Sequence, residues 1–321
     1  MKSLKLIYSL AIMLMIHTAK AQTPRISFQA PMAYPEGTAY DKAGDRFFVS
    51  SVKTGTIGTV DPKGVYKVFY EDSGLKSSYG MKVDPKRNKL WVCTGDANYS
   101  KYSDPSTFKK MIRVIGLDLS SGKKTNDIDL SNLIEGKHFA NDLTLDNMGN
   151  IYVTDSYSPV VYKIDTGFKP GIFSQSDLFK TNGVGLNGIE WSSKGYLIVA
   201  HNTNGQLLKI DTKQPDKIAK VKINTFFPGA DGLLWNAAGN LVLIQNKGVN
   251  KVFELVSNDN WESAEIKSAT LLVDRFHQPT TATLNTGKLY VLNSKMNELS
   301  DPTAQPSKEF SLQEVRFVPV K

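Results

Sequence analysis

One short pattern recurs six times along the chain, and few folds can absorb such a repeat. Each unit opens on a residue of changing character, runs as an apolar strand, turns tightly and returns as a second apolar strand. The openers are Glu36, Tyr79, Asn141, Asn187, Asp231 and Thr280, with spacings of 43, 62, 46, 44 and 49 residues. In four units the opener stands eight positions before the turn glycine, at Gly44, Gly149, Gly195 and Gly239. The cleanest unit is Asn141-Asp142-Leu143-Thr144-Leu145-Asp146, a turn at Gly149-Asn150, then Ile151-Tyr152-Val153-Thr154-Asp155. Units two and six follow the pattern more loosely. The longest spacing contains an insertion, Gly95 to about Phe108, rich in Asp, Ser, Tyr and Asn.

Short runs of β-branched and aromatic residues between Gly, Asn and Asp turns specify strands. A third strand follows in each unit, best seen at Val161–Asp165 and Leu207–Asp211, and often a fourth, as at Ala219–Ile223. The segment Thr203-Asn204-Gly205-Gln206 supplies a two-residue hairpin turn. Four strands every ~45 residues is the period of a propeller blade. The expected fold is therefore all-β, a six-bladed β-propeller. Unit six lacks an outermost strand, since a long loop (Ser294 to Glu309) leads to one last strand, Phe310–Val318. The segment Arg25–Gln29, ahead of unit one, is a strand without a unit. Pairing this N-terminal strand with the C-terminal one completes blade six and closes the ring.

The first residues have a different character. Lys2 and Lys5 precede an apolar run from Leu6 to Ile16, and Ala19-Lys20-Ala21 supplies a small-x-small cleavage pattern. Residues 1–21 are expected to be a signal peptide, with 22–321 as a single propeller domain exported to the periplasm or secreted. An uncleaved anchor is the rival reading, but the run falls short of the roughly 20 residues a spanning helix needs. No second long apolar stretch follows, so no stable membrane insertion is expected. Losing three lysines and no acids takes the formal charge from +8 to +5. That excess is scattered and has no arginine stripe interleaved with aromatics, so nucleic acid is not an expected partner. The one cysteine, Cys93, lies in the apolar run Leu90–Cys93 and has no internal partner. It is expected to be a buried strand residue rather than a nucleophile.

In a propeller the innermost strand of each blade lines the central channel, so the six openers should meet in a ring at one mouth. The second strand returns to the same mouth, which places Asp155, His201, Gln245 or Asn246, and Asn293 around that ring. The inner ring offers two carboxylates, Glu36 and Asp231, and two amides, Asn141 and Asn187. Such oxygens suit a hard divalent cation, with calcium expected first and magnesium, manganese or zinc as the alternatives. Taken singly, each polar opener is adequately explained as a strand cap bonded to channel water. Four in one register are not.

The motifs Tyr34-Pro35-Glu36-Gly37, Asn141-Asp142, Leu186-Asn187-Gly188-Ile189 and Ala230-Asp231-Gly232 resemble the gluconolactonase/regucalcin family, which includes luciferin-regenerating enzyme. The likeness runs through nearly all of the mature chain. It implies a divalent metal in the channel held by Glu36, Asn187 and Asp231, with Asn141 beside it facing substrate or water. It also implies hydrolysis of a small-molecule lactone or related ester, with Asp231 as the base. From its place in the second ring, His201 is an alternative base. Sugar-lactone members usually carry an arginine two positions before the asparagine of the Asn-Asp motif. Here that position is Phe139, which points to a less polar lactone or ester. The insertion should lie on the metal side, where Asp96, Asn98, Tyr99 and Tyr102 are candidates for substrate contact. It reads as a lid or as a surface loop.

The competing reading is a non-enzymatic binding propeller, because Asp146 to Asp155 also looks like an NHL-type repeat. The unequal ring favours the enzyme. Scaffold repeats do not need a carboxylate at one blade and amides at others. The chain has no Gly-x-Ser-x-Gly elbow, no His-x-x-x-His pair and no phosphate-binding glycine loop.

Overall fold

The structure, a computed structural model, describes residues 22–320. The signal peptide expected over 1–21 lies outside the described residues. An N-terminal strand β1 (Arg25–Gln29) precedes blade one, which is β2 (Thr38–Asp41), β3 (Arg46–Val49), β4 (Ile57–Val60) and β5 (Tyr66–Tyr70). Blade two is β6 (Ser77–Asp84), β7 (Lys89–Gly95), β8 (Ile112–Asp118) and β9 (Lys124–Asp129). Blade three is β10 (Ala140–Leu145), β11 (Ile151–Asp155), β12 (Val160–Ile164) and β13 (Pro170–Gln175). Blade four is β14 (Leu186–Ser192), β15 (Tyr196–His201), β16 (Gln206–Asp211) and β17 (Ile218–Lys220). Blade five is β18 (Ala230–Trp235), β19 (Leu241–Gln245), β20 (Lys251–Val256) and β21 (Glu265–Ala269). Blade six is β22 (Pro279–Asn285), β23 (Lys288–Asn293) and β24 (Glu309–Glu314), and a short β25 (Val318–Pro319) ends the chain.

The ring closes as the sequence predicts, with β1 pairing antiparallel to β24 from Arg25↔Gln313 to Gln29↔Glu309. One detail differs. The last strand does not run unbroken to Val318 but leaves blade six after Glu314, and β25 pairs with β21 of blade five through Ser268↔Pro319 and Ala269↔Val318. The bend buries parts of Val315 and Phe317 against Val242, Ile244, Phe276 and Val291, between blades five and six. The first and last described strands are thus tied into the ring, on neighbouring blades.

Apolar side chains pack face to face between successive sheets. Phe48, Leu75, Met81 and Leu90 fill the seam of blades one and two, and Tyr152, Phe179, Leu197 and Leu208 that of blades three and four. Each such side chain contributes about 1.5–3 kcal/mol when fully buried. Cys93 is one of these core residues, and burial pushes its thiol well above the ordinary range. Among the described residues no helix is long and apolar enough to cross a membrane.

The openers owe their aim to a repeated irregularity. In blade three Ala140 faces Asp155 and Leu143 faces Val153, so Asn141 and Asp142 together oppose Thr154 alone. The same shift occurs at Tyr79-Gly80, Asn187-Gly188, Asp231-Gly232 and Thr280-Thr281. A bulge of this kind bends the strand and re-aims a side chain. Blade one reaches a similar end differently, since β2 starts at Thr38 and the amides of Glu36 and Gly37 donate to Ser50 Oγ at 3.0 and 2.8 Å.

The glycine after an opener is needed for blade-to-blade approach. A Cβ on Gly188 would stand 2.3 Å from the Asp231 carbonyl oxygen, and one on Gly37 2.1 Å from that of Tyr79. Hydroxyls lock the carbonyls of two other openers across blades. Thr154 Oγ1 donates to the Asn187 carbonyl at 2.6 Å, while Thr280 and Thr281 both donate to that of Glu36 at 2.7 and 2.8 Å. The openers therefore form a continuous backbone ring at the channel mouth.

Candidate functional site

A cavity of about 200 Å³ lies inside this ring, and Glu36, Tyr79, Asn141, Asn187 and Asp231 all line it. The sixth opener, Thr280, is buried and spends its hydroxyl on the Glu36 carbonyl. Phe139 and Tyr99 also reach the cavity, as does Asn98 from the insertion. Of the site residues expected from the sequence, the structure leaves His201, Asp96 and Tyr102 outside this cavity.

The polar openers are almost fully buried, with relative exposures of 4% for Glu36, 2% for Asn141, 4% for Asn187 and 5% for Asp231. Buried acceptors are normally paired. Here Glu36 Oε2, Asn141 Oδ1 and Asn187 Oδ1 have no hydrogen-bond partner, three of ten such side-chain atoms among the described residues. Asp231 differs, because its Oδ2 accepts from the Asn246 amide. Burial, then the charges of Asp231 and Asp142, raises the Glu36 carboxyl well above its usual range. Burial, then Asp142, raises Asp231 likewise, against the opposing pull of hydrogen bonds from Asn246 and Asn187. Two carboxylates and two amide oxygens converge on one small space, and three of those groups hold an unused lone pair. Among the described residues no three His, Cys, Asp or Glu side chains gather as a metal site. Any cation held here would therefore depend on the amide oxygens as well as the carboxylates. That donor set suits a hard cation.

Beneath the ring the channel remains charged. Lys82 and Glu190 pair at 2.5 Å, with Asp142 close enough to bias both. Each stands three residues after its opener, which returns it to the channel face once the bulge has added a residue. The sequence offers that signal, but only to a reader who already knows of the bulge.

One wall of the cavity is aromatic. Phe139 lies between Tyr79 and Tyr157, with ring centroids 4.8 and 5.5 Å away. Asp155 fixes this wall from behind. Its carboxylate accepts from the amides of Phe139, Tyr157 and Ser158 at 2.9, 3.0 and 3.1 Å, and pairs with His138 Nδ1 at 2.7 Å. The insertion is a tied cap rather than a loose loop. Asp96 Oδ2 accepts from Ser103 Oγ and Thr107 Oγ1, both at 2.8 Å, and Lys76 pairs with Asp104 at 2.8 Å. Asn98 accepts from Tyr157 Oη at 3.0 Å, joining the cap to the aromatic wall. Asp96 and Tyr102, also candidates from sequence, serve this internal bracing and do not line the cavity.

His201 is the clear departure from expectation. It ends β15 at the correct mouth, but it pairs with Leu186 and Gln206 and its ring turns sideways between blades. There it meets the Asn204 amide at 3.3 Å, and burial pushes its pKa down. Its position along the strand is the expected one, whereas side-chain alternation carries the imidazole away from the cavity. Asn246 takes a place at the site instead, bonded to Asp231. Asn202, Val184, Val52 and Met296 complete the lining, and no sequence signal marked them.

Several solved structures share this architecture. The major allergen Mala s 1 of Malassezia sympodialis superposes with a TM-score of 0.70 at 17% identity, covering 92% of this chain and 97% of its own. Luciferin-regenerating enzyme gives 0.63 at 14% identity, with 92% and 98% covered. A protein provisionally assigned as a gluconolactonase gives 0.61 at 16% identity, with 94% and 95% covered. The shared feature is the fold. At these identities nothing further transfers. No family model matches the chain, and no curated protein matches its sequence.

Proposed function

We propose that the chain is a divalent-metal-dependent hydrolase of a small lactone or ester of low polarity. The observation that carries this reading is the convergence of Glu36 Oε2, Asn141 Oδ1 and Asn187 Oδ1, all buried and unpaired, on one cavity with Asp231. Glu36, Asn187 and Asp231 would hold the ion, and calcium suits oxygen donors of this kind best. When bound, such an ion supplies Lewis acidity toward a carbonyl oxygen and offsets the two buried negative charges. Luciferin-regenerating enzyme and the protein provisionally assigned as a gluconolactonase, as propellers of the same fold, support an enzymatic reading.

The chain's own residues have distinct tasks. Asp231, steadied by the Asn246 amide, takes a proton from the attacking water. Water oxygen bonds to the carbonyl carbon, the ring C–O bond breaks, and the departing alkoxide recovers the proton, giving a hydroxy acid. Asn141 presents its amide to the substrate or to that water. The Tyr79–Phe139–Tyr157 wall shields the reacting carbonyl from bulk solvent and favours a flat or apolar substrate face. Among the described residues no lysine, arginine or histidine lines the cavity to grip a sugar's hydroxyls or an anionic group. Export is part of the same proposal, supported by the Lys2–Ala21 leader pattern.

The test is hydrolysis of a lactone and ester panel by pH-stat, with and without chelator, for wild type, Asp231→Asn and Glu36→Gln. Turnover that is lost on chelation, restored by divalent ion and abolished in Asp231→Asn is expected. Turnover that survives chelation and both substitutions would overturn the metal-hydrolase reading. A protein that neither hydrolyses any member of the panel nor binds divalent metal would be the non-enzymatic binding propeller.

A further inference from the structure

Below the ring, two blades place charges where their neighbours place none. Lys82 and Glu190 each stand three residues after an opener, on β6 and β14, and pair at 2.5 Å. The same position in the other bulged blades is Thr144, Leu234 and Thr283. Thr144 and Thr283 accept there from the backbone amides of Trp191 and Tyr40, at 3.2 and 3.0 Å. The register is thus built with neutral residues elsewhere in the fold. A largely buried ion pair is weak evidence for stability, since apolar residues of like volume often replace one without loss. Packing alone does not account for Lys82 and Glu190.

The surrounding charges do. Asp142 reaches toward the same place from blade three, where a Cβ on Gly80, two residues before Lys82, would stand 2.4 Å from Asp142 Oδ1. Asp142 is buried and lies in the field of Lys82. Its own charge acts in turn on Glu36 and Asp231, the two carboxylates of the ring. Glu36, Asp142, Glu190 and Asp231 come from blades one, three, four and five, and the inner strand of blade six, Pro279–Asn285, has no charged residue. Among the described residues Lys82 is the one cation that acts on any of the four. The channel thus holds four carboxylates against a single ammonium. Salt screens charges in such a place far less than on the surface.

We infer that Lys82 sets how tightly the ring holds a divalent ion, opposing its entry with a fixed positive charge fastened to Glu190. Lys82 acts through space and through Asp142, so it is a positioning residue and not a ligand. Glu190 works in the opposite sense, because its charge favours a cation and offsets that of Lys82. The inference rests on the ring being the metal site of the proposed function. It carries a sign that a structural role does not: loss of Lys82 strengthens ion binding, whereas loss of Glu190 weakens it.

The test titrates calcium, magnesium, manganese and zinc separately into chelator-dialysed protein by calorimetry at pH 8. Wild type is compared with Lys82→Met, Lys82→Arg, Glu190→Gln and the double variant Lys82→Met/Glu190→Gln. Lys82→Met should bind at least one ion about tenfold more tightly than wild type, and Glu190→Gln about tenfold more weakly. Lys82→Arg keeps the charge and should bind as wild type does. The double variant removes one charge of each sign and should also return to the wild-type affinity. Should Lys82→Met fail to fold, weakening in Glu190→Gln and its recovery in the double variant decide the matter. Equal affinity in wild type and Lys82→Met, or weakening in both single variants with no recovery in the double, would overturn the inference. If Lys82→Met binds an ion and wild type binds none of the four, the metal reading of the natural protein fails and the role of Lys82 stands. If none of the five proteins binds any ion, both fall.

Discussion

Glu36→Gln should reverse its effect on stability according to whether metal is present. In metal-free protein the Glu36 and Asp231 carboxyls are buried, repel one another through space and titrate well above their usual range. A carboxyl raised in the folded state binds more protons there than in the unfolded chain, so stability falls as pH rises. The loss begins near pH 4, where unfolded Asp and Glu ionise, and continues through the raised folded values. At pH 8 the stripped wild type therefore carries the penalty accumulated above pH 4, and replacing Glu36 by its neutral isostere should raise the melting temperature. Unpaired buried acceptors add to that penalty, each costing about 1–3 kcal/mol. A cation meeting Glu36 Oε2, Asn141 Oδ1 and Asn187 Oδ1 would recover much of this at once. At 100 times Kd the linkage contribution is about 2.7 kcal/mol, or about 5 °C in a domain of this size. Differential scanning fluorimetry at pH 8, after chelator dialysis and then with graded calcium, magnesium, manganese or zinc, measures both arms. Wild type should rise by about 5 °C or more with at least one ion. Glu36→Gln should start higher and rise far less. A wild type indifferent to all four ions, together with a stripped Glu36→Gln that melts lower, would refute the reasoning.

Three further outcomes follow from named contacts. Phe139→Ala removes the middle of the aromatic wall, so KM for a phenyl-bearing lactone should rise about tenfold while a small aliphatic lactone changes little, as measured by initial rates. His201→Gln should keep kcat within a few-fold and lose about 1 kcal/mol of stability in urea melts; a hundredfold fall in kcat would return the imidazole to the chemistry. Gly188→Ala drives a Cβ into the Asp231 carbonyl, which should cost about 1–3 kcal/mol or more and depress divalent-ion affinity, read by denaturant melts and calorimetry.

The blades were legible because a strand-turn-strand unit repeats with its turn glycine in a fixed place, and a repeat exposes its own register. Closure was legible because Arg25–Gln29 had no other edge to pair with. The ring was legible because polar residues at one register position of a channel-facing strand have few explanations. What sequence could not give was direction perpendicular to the strand. His201 and Asn246 both follow β-strands to the same mouth, yet one side chain turns between blades and the other faces Asp231. That choice depends on local twist and on the loop beyond the strand. The C-terminal bend was hidden for a related reason. Val315 and Phe317 read as strand continuation, and only the packed seam of blades five and six shows a better burial for them.

Uneven satisfaction around the ring is what separates a site from an ornament of the fold. All six openers occupy equivalent places, so a purely structural ring should treat their side chains alike. Tyr79 Oη accepts the Ala97 amide at 3.3 Å, and Thr280 Oγ1 donates to the Glu36 carbonyl at 2.7 Å. These two side chains have partners within the protein and complete the architecture. Glu36, Asn141 and Asn187 stand in the same ring, and each leaves a buried oxygen unpaired. Apolar residues at those places would remove the penalty without disturbing the bulges, because the bulge is a property of the backbone and of the following small or polar residue. The chain thus carries a local cost that its fold does not require. Such costs are expected where a ligand, rather than the protein, completes the hydrogen-bonding and charge balance.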